Sequence, residues 1–548
     1  MNILSLFSVI CFLLIINTNI VSSQNINTAI EAINYLANEE MEGRFPGTKG
    51  DIKTIEYLIS EFESYGVKPF EFGYKQEFNI VSDISHGKNT TAKIDNRKLK
   101  LDKDYLPFNF SNNDELSAQI IIDNKLDKAG ADYNGKWVLY YLPIDTTIDY
   151  KSIINLAIKA QHLGAGGFIL LTDKSNFSPF VHNRSVSPIG IPAIQLSNKA
   201  LKKYFKIDIS ELSNGTIIPI ELYVNVDNEK IYSETANVAG YLKSDQTNYW
   251  IVIGAHHDHL GWGGPNSGSR APETKAIHYG ADDNASGTAM VLMLAEYFSK
   301  NPIDCNIAFV LFGAEEQGLI GSKYFVENLP FNKDNIKVML NYDMVGRMNE
   351  NKLTLIGSTT AVEFDSLIQT LPEHKLEISL RGGGYSGSDQ ASFYSEKIPV
   401  LFFYTGTHND YHTPADVIEL INFGGMELTA SLSVSIVDLF AKPEITLTYQ
   451  EVEQKSKNRH GGEMKVKLGI MPDITDDSGN GLRIDGVVPG GTAYNAKMQK
   501  GDIITELDGT KISGIYDYMH VMSDFKEGQT VKAKVIRNNK IIDIELKF

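Results

Sequence analysis

Cysteine is almost missing from this sequence, with two in 548 residues. One of them, Cys11, falls in an apolar leader, so a chain processed after that leader keeps only Cys305 and can form no internal disulfide. A Cys-rich zinc finger is excluded with it. Basic residues are also short: 51 Lys+Arg against 68 Asp+Glu, a formal net charge of −17. Nucleic acid and anionic membrane surfaces both call for a basic face, so neither is expected as the main partner. After the leader no segment reads as a membrane span, and no internal repeat is visible. What is present is ordinary globular composition, 42% apolar and 22% charged, enough to bury real cores. At ~100–200 residues per domain the length allows about three or four domains.

The leader is the run Ile3 to Ile16, broken only by Ser5 and Ser8, followed by Val21-Ser22-Ser23 before Gln24. An apolar stretch shorter than the ~20 residues of a span, then small residues, is the pattern of a cleaved signal peptide. The departure is an n-region without Lys or Arg. The expectation is a signal peptide over 1–23 and an exported chain, periplasmic or secreted, starting near Gln24 with no transmembrane span left.

Thr28-Ala-Ile-Glu31 has the form of a capping box opening a helix. A second helix is expected from Asp51 to Tyr65, with Ile52, Ile55, Leu58, Ile59 and Phe62 as its apolar stripe and Gly66 as its stop. Residues 114–233 change texture: buried-strand runs at Gln119–Ile122, Trp137–Leu142, Phe168–Leu171 and Ile191–Leu196, and a helix at Ile153–Leu163. From 234 to 442 strands and helices alternate, which predicts an α/β fold with a doubly wound, mostly parallel sheet. Residues 443–462 are polar and charged and read as a linker; 463–548 form a compact β-rich module.

In open α/β sheets ligands bind beyond the carboxyl ends of the strands. The polar clusters of this sequence fall there. Tyr249–Gly254 runs into Ala255-His256-His257-Asp258-His259, Asn306–Phe312 into Gly313-Ala314-Glu315-Glu316, and Lys337–Asn341 into Tyr342-Asp343. Pro399–Tyr404 leads to His408-Asn409-Asp410-Tyr411-His412, and Asp282-Asp283-Asn284 opens a helix. Each cluster alone is weak, because paired carboxylates after a strand are usually a solvated turn and Asp-Asn before a helix is first an N-cap. Five at one sheet edge suggest a metal site, and imidazoles with carboxylates and no thiolate suit zinc, with manganese or cobalt as substitutes.

These motifs, Gly254-Ala-His256-His-Asp258, Gly280-Ala-Asp-Asp283-Asn-Ala-Ser-Gly287, Gly313-Ala-Glu315-Glu316, Asn341-Tyr-Asp343-Met-Val-Gly-Arg347 and Asp410-Tyr411-His412-Thr-Pro, resemble those of the co-catalytic two-zinc aminopeptidases. Relatives of that family include glutamate carboxypeptidase II, the transferrin receptor and glutaminyl cyclase. Gly43-Arg44-Phe-Pro-Gly47-Thr48 resembles the family's N-terminal start. The resemblance implies two Zn2+ ions: His256 and Asp343 on one, Glu316 and His412 on the other, Asp283 bridging, with a cis Asp283–Asn284 peptide. It implies Asp258 as the carboxylate holding His256 by its other ring nitrogen, Glu315 as general base, and Tyr411 as a phenol facing the reacting carbonyl. His257 is expected to point away. Where the family often has Ser-Asp-His, this chain reads Ser388-Asp389-Gln390; Asp389 is the residue expected at the substrate pocket.

Residues 114–233 resemble a protease-associated domain inserted into the peptidase, whose halves would be 24–113 and 234–442. Residues 463–548 resemble a PDZ domain, with Leu468-Gly469-Ile470-Met471 at its carboxylate-binding loop, a place for a peptide C-terminus. The function implied is hydrolysis of N-terminal peptide bonds on substrates with a free N-terminus. The alternatives are a carboxypeptidase or dipeptidase of the same family, then a glutaminyl cyclase or a non-catalytic receptor-like binding protein.

Overall fold

Ala29, Ala32, Ile33 and Leu36 recur at the spacing of one helical face, and these four are the buried side of the first helix, α1 (Ser22–Leu36). A computed structural model describes residues 22–126, 132–141, 148, 150–172, 188–211, 213–264, 267–385, 387–451, 466–473, 480–488 and 490–548. The apolar leader lies outside the described residues. Thr28 does not cap α1. It sits inside the helix, where its hydroxyl donates to Glu296. Helix α2 (Lys49–Tyr65) begins at the Thr48 cap, whose hydroxyl accepts the Asp51 amide, and ends at Gly66 with φ +76°. Its buried stripe is Ile55, Leu58 and Phe62, narrower than expected because Ile52 is exposed.

The chain divides into two compact units. One comprises the segment to Ile80, Glu234–Gly264 and Gly268–Val452; the other comprises Val81–Ser233 with the C-terminal module. The first unit is built on a nine-stranded sheet. Its strands are β1 (Lys75–His86), β2 (Asn228–Leu242), β3 (Trp250–His256), β4 (Asn306–Phe312), β5 (Ile336–Tyr342), β6 (Lys352–Ile356), β7 (Glu377–Arg381) and β8 (Val400–Tyr404), plus a short strand at Lys68–Pro69. The order is Lys68–Pro69, β2, β4, β3, β5, β8, β6, β7, with β1 beside β2. The central strands β4, β3, β5 and β8 are mutually parallel. β2 and β6 run antiparallel to their inner neighbours.

Both faces of this sheet are covered, which is why its central strands are apolar throughout. Ile251, Ile253 and Ala255 pack with α1, with helix α3 (Gly287–Lys300) and with helix α5 (Phe423–Ala441). Val252, Val310 and Phe312 face the other way, onto Phe325 and Val326 of helix α4 (Ile320–Glu327) and onto Phe393. Among the described residues α5 is the one helix long and apolar enough to cross a membrane. Met426, Ala430, Ile436, Val437 and Phe440 bury one side of it in the core.

Two expected boundaries move. The insert starts near Val81, not at 114. Thr91–Ile94 and Tyr105–Pro107 belong to its eight-stranded sheet, pairing with Ile217–Asn225 and Ala193–Ser197. Within that sheet Glu115–Ile122, Trp137–Tyr141, Gly167–Thr172 and Ala193–Ser197 run parallel. The linker does not begin at 443 either. Ile445 and Leu447 pack on the core of the first unit, and Thr448 and Gln450 exchange backbone bonds with Val362 and Thr360. The rest of the expected linker lies outside the described residues. The C-terminal module is a six-stranded sheet with its own core of Leu468, Leu482, Ile484, Ile504, Val531 and Val535. Its edge strand Ile470–Pro472 pairs with Leu482–Val487.

Candidate metal centre

The parallel strands deliver their polar ends to one side. His256 is the last residue of β3, Glu315 and Glu316 follow β4, Asp343 follows β5, and His412 lies in the loop after β8. Asp283 comes from an irregular turn, Ala281–Ser286, and the Asp283–Asn284 peptide is cis. Non-glycine residues with left-handed backbone mark these loops: Ala314 (φ +57°), Met344 (φ +55°) and His412 (φ +57°). Such conformations are retained where the surroundings fix them.

The two oxygens of Asp283 face two separate groups. Oδ1 lies 3.4 Å from His256 Nε2, which is 3.5 Å from Asp343 Oδ1. Oδ2 lies 3.1 Å from His412 Nε2, which is 3.3 Å from Glu316 Oε2. Tetrahedral ligands ~2.0–2.1 Å from a zinc ion sit about 3.3–3.4 Å from one another, so both groups have the spacing of a metal's ligands. Asp283 Oδ2 and Asp343 Oδ1 are buried without a hydrogen-bond partner, which a cation would satisfy. The histidine tautomers agree. His256 Nδ1 faces the Asp258 carbonyl at 3.2 Å and His412 Nδ1 the Gly268 carbonyl at 3.0 Å, leaving each Nε2 free for a metal. The donor set therefore fits zinc.

Glu315 and Glu316 separate electrostatically. Burial and Asp283 push the Glu316 carboxyl up, but His412 and the His259 hydrogen bond outweigh them and hold it at about 2. Glu315 moves the other way. Burial first, then Glu316, Asp389 and Asp343, hold it well above the usual carboxylate range against the pull of His256. The His412 imidazole is opposed by burial yet raised to about 11 by Glu316 and Asp283.

Asp258 departs from expectation. Its carboxylate is 3.7 Å from His256 Nδ1, and its hydrogen bonds go instead to the amides of Glu315 (2.9 Å) and Glu316 (3.2 Å). It fixes the backbone of the carboxylate pair, while its carbonyl faces His256. Asp389 does not stand at the substrate pocket as expected: it is fully buried and does not line the cleft, where Gly387 stands instead. It precedes the helix Gln390–Ser395, and burial pushes its carboxyl up to about 7. His257 points away as expected, donating to the Ala236 carbonyl at 3.0 Å.

His259 was missed. It is fully buried, with Nδ1 2.9 Å from Glu316 Oε1, and it could complete a metal group with Asp283 and Glu316. Its only sequence signal is membership of the run His256-His257-Asp258-His259, which does not say which ring turns inward. The Gly-rich loop after β3 is also part of the site, through Gly268 on His412 and the Arg270 amide on the His412 carbonyl. The cleft above these groups measures about 280 Å³. Tyr411, stacked on His412, lines it with Glu315, and Met344, Ile356, Phe402 and Tyr404 form an apolar wall.

Fold and site define a class: an α/β protein with a mostly parallel sheet whose strand ends converge on a candidate metal centre. The particular family follows from comparison. Residues 237–437 match the family model of peptidase family M28 and residues 464–548 that of the PDZ domain. The chain thus carries an M28 peptidase domain and a C-terminal PDZ domain. It is 27% identical over 313 residues to aminopeptidase YwaD of Bacillus subtilis (strain 168), across 53% of this chain and 60% of that protein. It is 29% identical over 212 residues to a probable leucine aminopeptidase of Arthroderma otae, across 36% and 54%. The chain spans about half to three-fifths of the length of these relatives. Among solved structures, an aminopeptidase from Aneurinibacillus sp. strain AM-1 aligns with TM-score 0.48 and 24% identity, covering 79% of this chain and 98% of that one.

Proposed function

We propose that this chain is an exported zinc aminopeptidase that removes residues from peptides with a free N-terminus. The observation that carries the reading is the division of Asp283, one oxygen to each ligand group, with Glu315 left over beside them and open to the cleft. The names of the relatives point to the same reaction. In this reading His256 and Asp343 hold one zinc, Glu316 and His412 the other, and Asp283 both. Manganese or cobalt could substitute. When bound, the ions supply Lewis acidity and a water whose pKa is lowered towards ~7. Glu315 accepts the proton of the attacking water and returns it to the leaving amine. The Tyr411 hydroxyl donates to the carbonyl oxygen as it gains charge. The crowded carboxylates attract the substrate's α-ammonium, and the wall of Met344, Ile356, Phe402 and Tyr404 suits an apolar N-terminal side chain.

In the same reading the insert is of the protease-associated type. The PDZ domain takes a peptide C-terminus as an added strand beside Ile470–Pro472. The test is metal analysis of the purified chain with a panel of free and N-blocked aminoacyl amides. Two zinc ions per chain, cleavage of free leucyl, methionyl and phenylalanyl amides and none of blocked ones are expected. Release of C-terminal residues from N-blocked peptides would instead make it a carboxypeptidase of the family.

A further inference from the structure

Arg44 is fully buried, and every bond of its guanidinium goes to a backbone carbonyl. Nε donates to His257 O at 2.9 Å, Nη1 to Leu36 O and Tyr279 O at 2.7 Å each, and Nη2 to Gly280 O at 2.8 Å. One side chain thereby joins the end of α1, the residue after the His256 ligand and the segment leading to Asp283. The backbone around it is woven into the same place. Gly43 O accepts the Gly261 amide and Arg44 O the His259 amide. Arg44 itself has φ +49°, a left-handed conformation that disfavours a side chain. The segment is gripped from its other side by an anion. The Asp416 carboxylate accepts the Asp282 and Asp283 amides at 3.0 Å, and the Asp416 carbonyl accepts the Ala281 amide at 3.1 Å.

We propose that Arg44 and Asp416 form a clamp on residues 279–283, cation on carbonyls and anion on amides, that sets the position of the bridging carboxylate of Asp283 before any metal arrives. Both are positioning residues, acting through the backbone of Asp283. Arg44 also supplies buried positive charge among Asp283, Asp416, Asp258 and Glu316; burial lowers its pKa, but only to about 10, so it stays charged at neutral pH. A guanidinium suits this task because its planar fork reaches several fixed acceptors at once, which an ammonium on a flexible stem does not. The inference rests on the zinc-site reading above.

The test uses the full-length chain and four variants, Arg44→Met, Arg44→Lys, Asp416→Asn and the double variant Arg44→Met with Asp416→Asn. Zinc affinity is measured by chelator competition, the metal-free fold by circular dichroism and thermal unfolding, and kcat and KM at saturating zinc. Arg44→Met should weaken zinc binding by roughly 10–100-fold, the usual effect of losing a group that orients a ligand. KM at saturating zinc should stay within about twofold, because the clamp does not touch substrate. Arg44→Lys should fall between, and Asp416→Asn should weaken zinc in the same direction. The double variant should lose less than the two effects combined, since both act through one segment. An Arg44→Met chain that folds and binds zinc as tightly as the parent overturns the proposal. Should Arg44→Met not fold, Arg44→Lys decides: parental zinc affinity in that variant refutes the clamp. A parent chain that binds no zinc refutes the metal reading itself, an outcome separate from these.

Discussion

Glu315 and Glu316 are neighbours in sequence with opposite electrostatic fates, and the cause is which side chains each meets. Glu316 is held ionised by His259 and His412, as a ligand carboxylate needs, while Glu315 has burial and three carboxylates against it. Glu316→Ala is expected to reduce bound zinc in metal analysis. Glu315→Ala should keep its zinc yet lose roughly 10²–10⁴-fold in kcat. Loss of metal in Glu315→Ala with retention in Glu316→Ala would reverse the roles. Asp51, buried at the start of α2, gives a pH signature. Burial, and then Asp258, raise its carboxyl to about 7 against the hydrogen bonds from Gly47 and Thr235. The unfolded value is ~3.9, so between about pH 4 and 7 the folded chain holds a proton that the unfolded chain has lost. The contribution of Asp51 to stability therefore falls as pH rises through that window and stays low above it. Asp51→Asn keeps an acceptor for Gly47 and Thr235 and removes the ionisation. Its Tm should exceed the parent's at pH 8, and the difference between the two should grow from pH 4 to 7. An unchanged pH slope would refute this.

At the scale of elements, the contact between α3 and β5 governs the site. Gly287 opens α3 in ordinary helical geometry, so its backbone has no need of glycine. A Cβ there would lie 2.2 Å from the Tyr342 carbonyl and 2.4 Å from Asn284 Oδ1. Helix propensity alone would favour alanine by ~1 kcal/mol. The close approach wins, because backbone cannot yield as a flexible side chain can. Gly287→Ala is expected to cost ~1–3 kcal/mol by overpacking and to weaken zinc binding, since Tyr342 and Asn284 adjoin Asp343 and Asp283. Urea unfolding and chelator competition on the same preparation measure both. A variant stabler than the parent would show that propensity decides.

At the scale of the whole molecule, the C-terminal module closes its own core, and the peptidase core takes its last residues from Ile445 and Leu447. A chain ending at 451 is therefore expected to keep hydrolysis of small aminoacyl amides. One ending at 442 should melt several degrees lower, because it also loses Ile445, Leu447 and the Tyr449 bridge to Ala361. Equal melting temperatures for the two truncations would show that 443–451 contributes no packing.

The sequence alone determined what depends on local pattern. Strand–helix alternation over 234–442 marked the α/β core, and polar residues at strand ends marked the site, because a parallel sheet carries those ends to one side. The clusters that contain His256, Glu316, Asp343 and His412 were legible for that reason, the choice of those four within them came from the family resemblance, and Gly66 was legible as a helix stop. The tertiary structure alone decided what depends on partners distant in the chain. Whether His257 or His259 turns inward is set by Ala236 and Glu316. That Asp258 bonds the Glu315 and Glu316 amides depends on the β3–β4 pairing, and that Thr91–Ile94 belongs to the insert depends on Ile217–Asn225. Arg44 is legible in the sequence as part of the stretch Gly43–Thr48, with no sign of what its guanidinium meets. Its role exists only where folding brings carbonyls from residues 36, 257, 279 and 280 around one guanidinium. Periodicity records which face of an element is apolar, and it does not record what lies across from that face.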